Sequence, residues 1–271
     1  MDFTLKTAQG VCFLACDPLD RAGGVAHGFS TRLGGVSQGF CAGLNLGYNR
    51  GDDPDHVRKN FRAFCTAIGG DYDGIIKTRQ VHRDHIQPVT TADAGMDLIA
   101  PAPWETDGLV TDVPGLCLTV FSADCVPVLL YDPIRRCIAA VHSGWRGTAL
   151  SIAARAVEKM TQNYGCDPGH ILAAIGPAIS KCCFETHADV PTEMTSALGV
   201  LAAPFIEELP GGKFRVDLKG IIKNTLLHAG LDPAHIAVSD HCTACRTDLY
   251  WSHRLLGDRR GSMAAMIQLT K

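Results

Sequence analysis

The stretch "SADCVPVLLYDPIRRCIAAVHSGWRGTA", residues 122–149, contains two apolar runs separated by a short polar segment. The runs 126–131 and 137–142 have the length and composition of buried strands, and the Asp-Pro dipeptide after the first run favours a turn. We therefore predict that the two runs pair as a hairpin. In a hairpin the first strand begins beside the point where the second strand ends, so Cys125 is predicted to lie next to His142.

The rest of the chain predicts a mixed α/β fold. Strands are expected at 25–31 and 74–82, and helices at 52–70, with Asp53 as the cap, and at 148–165. The order of these elements does not alternate regularly between strand and helix, so we expect neither a Rossmann fold nor a barrel. Since we find no linker or internal repeat, residues 1–271 are interpreted as a single domain.

Composition excludes several classes of protein. Of the 271 residues, 46% are hydrophobic and 20% are charged, which favours a folded core, and the net charge of −3 gives no general attraction for nucleic acid or anionic lipid. The beginning of the chain lacks the pattern of a signal peptide, and the longest apolar region is interrupted by Asp124. We expect a cytoplasmic protein that binds no membrane, with its twelve cysteines reduced.

Three residues of metal-binding types are expected at strand ends. Cys125 and His142 belong to the predicted hairpin, and His82 closes the predicted strand 74–82. Two histidines and one cysteine are a ligand set for zinc that leaves the fourth position open, as in catalytic zinc sites. The alternative is a buried cysteine with two histidines that are satisfied by hydrogen bonds. Asp124 either orients a ligand, takes part in acid/base chemistry or forms an ordinary hydrogen bond.

Two glycine-rich turns are candidates for anion binding. Arg146 stands between two glycines at the predicted beginning of a helix, and its guanidinium is suited to bidentate contact with phosphate. Arg32 precedes Gly34 and Gly35 in a similar turn, and Asn45 follows in the next one. The alternative for each turn is that it only reverses the chain.

Eight motifs, taken together and in this order, carry a family resemblance. They are HGFSTRLGGVS, GLNLGYNRGDDPDHVRKN, QVHRDHI, TDGLVTD, SADCVPVLLYDP, AAVHSGWRGTA, AIGPAISKCCFE and HCTACRTDLYWSHR. They resemble the family long labelled polyphenol oxidase or multicopper laccase and now understood as zinc-dependent purine nucleoside phosphorylases. The resemblance covers roughly residues 25–268. Departures occur at Thr186-His187 and in the segment GDRRGSM, which we expect at the rim of the pocket.

The resemblance implies a fold and an activity. The fold would be a single α/β domain similar to that of cytotoxic-necrotizing-factor-like cysteine hydrolases. The activity would be phosphorolysis of adenosine, inosine and guanosine to base and ribose 1-phosphate, with adenosine deaminase and S-methyl-5′-thioadenosine phosphorylase side activities. The partners would be a purine nucleoside and phosphate, and we expect a monomer.

The resemblance also implies roles for individual residues. The family's metal ligands match His82, Cys125 and His142. Its arginines match Arg32 and Arg146, as contacts to phosphate or substrate, and Asn45 would belong to the pocket.

Two other enzyme classes remain as alternatives. A cysteine hydrolase or transferase would use Cys125 as nucleophile and His142 as base. A copper-dependent polyphenol oxidase would need additional oxygen-reducing copper, whose sites commonly use His-X-His pairs, and none of the eleven histidines forms such a pair. We therefore regard copper as the less favoured metal.

One further cysteine motif has no assigned role. His241 precedes Cys242 and Cys245, whose spacing is that of half a zinc knuckle, but the sequence has no second CxxC pair. Cys182 and Cys183 are possible partners, although we interpret these cysteines as free thiols.

Overall fold

A computed structural model describes residues 2–270 as a mixed α/β fold with several sheets. The strands are β1 (Phe3–Ala8), β2 (Val11–Cys16), β3 (Val25–Ser30), β4 (Ile75–Lys77), β5 (Ile86–Pro88), β6 (Gly108–Thr111), β7 (Cys117–Ser122), β8 (Val126–Asp132), β9 (Cys137–Ser143), β10 (Leu172–Ile175), β11 (Glu185–Thr186), β12 (Ile206–Leu209), β13 (Lys213–Val216), β14 (Ile236–Val238) and β15 (Met263–Leu269). The α-helices are α1 (Asp17–Ala22), α2 (Pro54–Ala67), α3 (Trp145–Ala149), α4 (Ile152–Tyr164), α5 (Asp189–Leu198), α6 (Leu218–His228) and α7 (His253–Leu256).

Two six-stranded sheets form the centre of the fold. The first has the strand order β1-β2-β3-β15-β7-β4, and the second has the order β14-β10-β8-β9-β6-β5. A small third sheet has the order β11-β13-β12. Both large sheets mix parallel and antiparallel pairs, so the prediction that the fold is neither a Rossmann fold nor a barrel agrees with the topology.

The core is layered because alternate residues of the central strands face opposite sides of each sheet. Leu129 and Ile138 of the second sheet share one cluster with Val120 and Ile267 of the first, so the two sheets pack face to face. On its other face the second sheet packs on helices, with Leu130, Val141, Ile152, Met160 and Ile221 in one cluster. The first sheet packs its other face on α2, with Phe13, Phe61, Phe64 and Met266 in one cluster.

The predicted hairpin is confirmed. Strands β8 and β9 pair antiparallel from Val126 opposite Ser143 to Asp132 opposite Cys137. Both strands are buried along their whole length, since each has the other sheet on one side and helices on the other.

The predicted helices are confirmed in part. In α2 the Asp53 side chain accepts a hydrogen bond from the Asp55 N–H, as a helix cap does. The helix predicted at 148–165 is instead two helices, α3 and α4, because Ser151 between them has a left-handed backbone with φ of 56°. Gly165 ends α4 in the left-handed conformation that glycine favours.

Two predictions about the whole chain stay predictions. The likeness to cytotoxic-necrotizing-factor-like cysteine hydrolases and the single domain over 1–271 are tested by none of these features.

No helix of the described residues combines the length and the apolarity that a membrane span requires.

Candidate metal centre

His82, Cys125 and His142 come together at one end of the β8–β9 hairpin. Each offers one ligand atom, and the three atoms lie within 4.8 Å of one another. The distance between Cys125 Sγ and His82 Nε2 is 3.9 Å, and the two imidazole rings meet edge to face with centroids 4.9 Å apart. His142 is buried, Cys125 is half-buried and His82 is exposed, so the group is open to solvent on the His82 side.

The hairpin explains how two of these residues meet. Pro127 pairs with His142 and Val126 pairs with Ser143, so Cys125 lies just beyond the end of the β8–β9 ladder. Gly144 follows on the other strand. A Cβ at Gly144 would lie 2.8 Å from His82 Cδ2 and 3.2 Å from Cys125 Sγ, so a side chain there would intrude on the three ligand residues.

The prediction that His82 closes a long strand is wrong. Strand β4 ends at Lys77, and His82 lies in a turn with φ of 59°, a conformation that costs free energy in residues other than glycine. The backbone N–H groups of Val81, His82 and Arg83 donate to the Asp107 carboxylate at distances of 2.9–3.0 Å. These hydrogen bonds replace the strand pairing that the apolar pattern suggested.

Asp107 organises the centre, and the sequence did not single it out. Its side chain is fully buried, and besides the turn it accepts a hydrogen bond of 2.8 Å from His142 Nδ1. Because an ionised carboxylate only accepts, His142 Nδ1 carries a proton, and Nε2 is the nitrogen that a metal would bind in place of a proton. The sequence does show a carboxylate directly before the buried strand β6. Only the folded chain, however, brings it to His82 and His142, which are 25 and 35 positions away in the sequence.

The two histidines favour the thiolate form of Cys125. Burial raises the pKa of the Cys125 thiol, but the charge and hydrogen bond of His142, together with His82, outweigh burial and bring the pKa to about 6. Burial lowers the pKa of His142, whereas the Cys125 thiolate and Asp107 raise it to about 9. Burial also acts to raise the pKa of Asp107, yet the hydrogen bond from His142 keeps it below its ordinary value. A thiolate is the form that either binds a metal or acts as a nucleophile.

Asp124 sits beside Cys125, but its carboxylate is occupied. It accepts hydrogen bonds from the Thr243 hydroxyl at 2.6 Å, the Ser252 hydroxyl at 3.0 Å and the Arg254 N–H at 2.7 Å. Its φ of 88° is in the left-handed region, so these contacts hold a strained turn before Cys125. The geometry gives Asp124 a positioning role; its predicted catalytic role stays a prediction.

Two pockets adjoin the metal-binding group and share His82. The first, of about 240 Å³, is called the Trp145 pocket; its lining is His82, Ala123, Asp124, Cys125, Trp145, Arg146, Ile179, Phe184, Leu218, His253 and Arg254. The second, of about 380 Å³, is called the Tyr48 pocket; its lining is Gly47, Tyr48, Asn49, Arg50, Thr78, Arg79, Gln80, His82, Pro101, Phe121 and Ser262. Each combines aromatic faces with arginines, which suits a ligand that has a flat ring and an anionic group.

The predicted anion-binding residues fall in different places. Arg146 is exposed in the Trp145 pocket, with its guanidinium carbon 4.1 Å from the centroid of the Trp145 ring. Arg32 lies over the Trp251 ring and donates to the Thr247 carbonyl, and it lines neither pocket. Asn45 is fully buried and bonded to Gly47, Asp52 and Ser262, which makes it a support for the turn beneath the Tyr48 pocket. Contacts of Arg32 and Asn45 with substrate stay predictions.

His85 and the four remaining cysteines of interest are also placed. His85, three residues after the ligand His82, is exposed and contacts the Glu105 carbonyl, so it is a surface histidine. The structure gathers Cys182, Cys183, Cys242 and Cys245 into a second group, so the less favoured partnership between the two pairs is the one that the fold brings together.

The chain is similar to known proteins over most of its length. Residues 26–270 match the family described as multi-copper polyphenol oxidoreductase laccase. The chain is 36% identical over 269 residues to purine nucleoside phosphorylase YlmD of Geobacillus stearothermophilus, which covers 98% of this chain and 97% of the relative. It is 32% identical over 236 residues to adenosine deaminase RL5 from an unknown prokaryotic organism, covering 86% of this chain and 90% of the relative.

A solved structure gives the same fold. The hypothetical protein YfiH of Bacillus licheniformis superposes with a TM-score of 0.92 at 34% identity, and the match covers 99% of both chains. The mixed α/β class and the family resemblance are thereby confirmed. The chain belongs to the multi-copper polyphenol oxidoreductase laccase family.

Proposed function

We propose that this protein is a zinc-dependent purine nucleoside phosphorylase that also deaminates adenosine and cleaves S-methyl-5′-thioadenosine. The observation that carries the proposal is the group of His82, Cys125 and His142 at the junction of two pockets that contain arginine. The names of the relatives, a phosphorylase and a deaminase, support the two reactions.

The donor set is suited to zinc. Two imidazole nitrogens and one thiolate are common zinc ligands, and three protein ligands leave a position for water or substrate. When bound, zinc supplies a Lewis acid at that position. Asp107 holds His142 in the tautomer that presents Nε2, so this support of the ligand is already built into the fold.

Copper oxidase chemistry is less well supported, despite the name of the family. Oxygen-reducing copper centres use several histidines in proximity. Within residues 2–270, the only other group of ligand atoms of comparable closeness is composed of four cysteines. We therefore propose zinc rather than copper.

The Trp145 pocket supports a role in binding a nucleoside and phosphate. Trp145 and Phe184 present aromatic faces on which a purine can stack. The Arg146 guanidinium forms no hydrogen bond or ion pair within the described residues, so it is free to hold an anion. In phosphorolysis a phosphate oxygen forms a bond to C1′ of the ribose while the bond from C1′ to the purine nitrogen breaks. In the net reaction the purine leaves with the proton that the phosphate gives up.

A second candidate is a cysteine hydrolase. The low pKa of Cys125, the raised pKa of His142 and the hydrogen bond from His142 to Asp107 together form a nucleophile, a base and an orienting carboxylate. This enzyme would use the same residues without a metal. Metal dependence distinguishes the two proposals.

We also propose a cytoplasmic location and a monomeric state. All twelve cysteines are free, which suits a reducing compartment. Fractionation of cells and size-exclusion chromatography with light scattering test these two points.

The reaction is tested by product analysis. Adenosine, inosine and S-methyl-5′-thioadenosine are each incubated with the protein, with and without phosphate. We expect free base and the sugar 1-phosphate only when phosphate is present, and inosine from adenosine in both conditions. Absence of base release from all three substrates in the presence of phosphate would contradict the proposal.

A further inference from the structure

A second group of metal-ligand atoms lies apart from His82, Cys125 and His142. The four-cysteine cluster is composed of Cys182, Cys183, Cys242 and Cys245. Their four Sγ atoms all lie within 4.8 Å of one another, although about sixty residues separate the two pairs in the sequence. Neither the proposed reaction nor the metal centre uses any of these thiols.

The sulfur positions approach those of a metal tetrathiolate. The Sγ–Sγ distances are 3.8 Å for Cys182–Cys183, 3.6 Å for Cys182–Cys245 and 3.4 Å for Cys183–Cys245. A tetrahedron of four sulfurs, each about 2.3 Å from a central zinc, has edges of about 3.8 Å. The cluster therefore needs only small adjustments to enclose a zinc ion.

The local backbone also resembles a metal knuckle. Residues 242–245 form a turn in which the Arg246 N–H donates to the Cys242 carbonyl. The Cys242 sulfur accepts a hydrogen bond of 3.4 Å from the Ser180 N–H. Such N–H donors stabilise a thiolate, which is the ligand form.

Positive groups adjoin the cluster. A zinc ion with four thiolates carries a net charge of −2. Nearby cations therefore lower the free-energy cost of placing this negative complex in the protein. Lys219 is buried and donates to the carbonyls of Ser239 and His241, just before Cys242. Arg254 donates to the Cys183 carbonyl at 3.1 Å.

The cluster joins two segments that have little regular structure of their own. Cys182 and Cys183 lie in the segment between β10 and β11, and Cys242 and Cys245 lie between β14 and α7. The first segment contributes Ile179 and Phe184 to the Trp145 pocket. The second contributes Thr243, whose hydroxyl donates to Asp124 beside Cys125. Fastening the two segments together would fix one wall of the pocket.

We propose that the four-cysteine cluster is a structural zinc site that fastens these two segments at the wall of the Trp145 pocket. Four protein ligands close the coordination sphere, so this zinc has no position for substrate. The site binds zinc independently of the metal centre at His82, Cys125 and His142.

Zinc content tests the proposal. Full-length protein is purified without added metal, and zinc per chain is measured for the wild type and the double variant Cys182→Ser/Cys245→Ser. Both positions are exposed, so the substitutions leave the core intact. We expect the zinc content to fall by one equivalent, and the control Cys12→Ser, outside the cluster, to keep the wild-type content. Equal zinc in wild type and double variant would overturn the proposal.

A third variant separates this site from the proposed function. Cys125→Ser removes a ligand of the first centre only, so it should lose at most the other equivalent and keep the zinc of the cluster. If the first centre binds no zinc, Cys125→Ser will match the wild type while the double variant still loses one equivalent.

Thiol protection provides a test that does not depend on variants. Exposed free thiols react quickly with iodoacetamide, whereas zinc thiolates react slowly. We expect Cys182 and Cys245 of the native wild type to be protected until a chelator is added, as measured by peptide mass spectrometry. Rapid alkylation before chelation, a disulfide among the four, or iron in place of zinc would each overturn the proposal.

Discussion

At the scale of the residue, the candidate metal centre depends on one carboxylate that binds neither metal nor substrate in our account. Asp107 accepts three backbone hydrogen bonds from the His82 turn and one from His142. Asp107 therefore positions two of the three ligands: His82 through the backbone of its turn, and His142 through its imidazole ring. Sequence reasoning found the ligands by their chemistry but could not find this contact, which depends on folding of distant segments.

Substitution of Asp107 tests its positioning role. Asp107→Asn keeps the shape but can no longer accept all four hydrogen bonds, so His142 loses its fixed tautomer. We expect zinc affinity to fall about 10–100-fold, the usual effect of removing such a support. Competition with a chromogenic chelator measures this affinity, and Asp112→Asn, an exposed aspartate at the other end of β6, is the control. Unchanged affinity in a folded Asp107→Asn variant would refute the role.

The buried His27 leads to a separate prediction, which concerns how the folding stability depends on pH. Its Nε2 accepts a hydrogen bond from the Cys16 N–H, and burial is the main cause that lowers its pKa from 6.5 to about 4, against a smaller opposing effect of Asp20. Because the folded pKa is below the unfolded one, the unfolded chain binds more protons, and stability falls as the pH decreases from 6.5 towards 4. The full loss is on the order of 3 kcal/mol, from about 1.4 kcal/mol per pKa unit.

Urea unfolding at a series of pH values measures this effect. His27→Gln retains an oxygen that can accept from Cys16 but does not titrate. We expect the variant to lose less stability than the wild type between about pH 6.5 and about pH 4. Parallel curves for the two proteins would mean that His27 does not titrate as described.

At the scale of the element, the sequence correctly predicted those features that depend on residues close together in the chain. The β8–β9 hairpin, the Asp53 cap of α2 and the Gly165 end of α4 are confirmed. The predicted strand to His82 failed because Asp107 takes the backbone hydrogen bonds of that segment. The predicted helix 148–165 failed at Ser151, where α3 and α4 separate, and the amphipathic pattern does not mark that break.

Arg146 is the second residue of α3, which follows β9 after Gly144, and it lines the Trp145 pocket. Deamination consumes water rather than phosphate, so Arg146→Ala should weaken phosphorolysis selectively. Loss of a charge-assisted contact to phosphate should cost about 2–3 kcal/mol, seen as a higher KM for phosphate. Steady-state kinetics of both reactions measure the difference.

The control for this prediction removes the same charge elsewhere. Arg58→Ala changes an exposed arginine that pairs with Asp55 and Asp97 on the surface, in neither pocket beside His82. It should leave both reactions unchanged. Equal losses of phosphorolysis and deamination in Arg146→Ala would argue against a phosphate role.

At the scale of the whole molecule, the second six-stranded sheet positions both groups of metal ligands. The first group lies at the end of the β8–β9 hairpin, and the four-cysteine cluster lies in the segments that follow the neighbouring parallel strands β10 and β14. The mixed α/β class followed from the predicted strands and helices, and the family followed from eight motifs in the sequence. For the second group, the sequence named Cys182 and Cys183 as possible partners of the Cys242–Cys245 motif but did not favour the pairing, because nothing local to Cys182 or Cys242 shows that their segments meet in space.

The central claim is that a metal held by His82, Cys125 and His142 is required for the chemistry, and that Cys125 is not a nucleophile. The most direct measurement is adenosine deamination by the wild-type protein before chelation, after chelation and after addition of zinc, with thiol alkylation of the chelated protein as a parallel reaction. We predict that chelation abolishes inosine formation and that zinc restores it. Full activity of the metal-free protein, together with rapid inactivation by alkylation of Cys125, would contradict the account and establish the cysteine hydrolase instead.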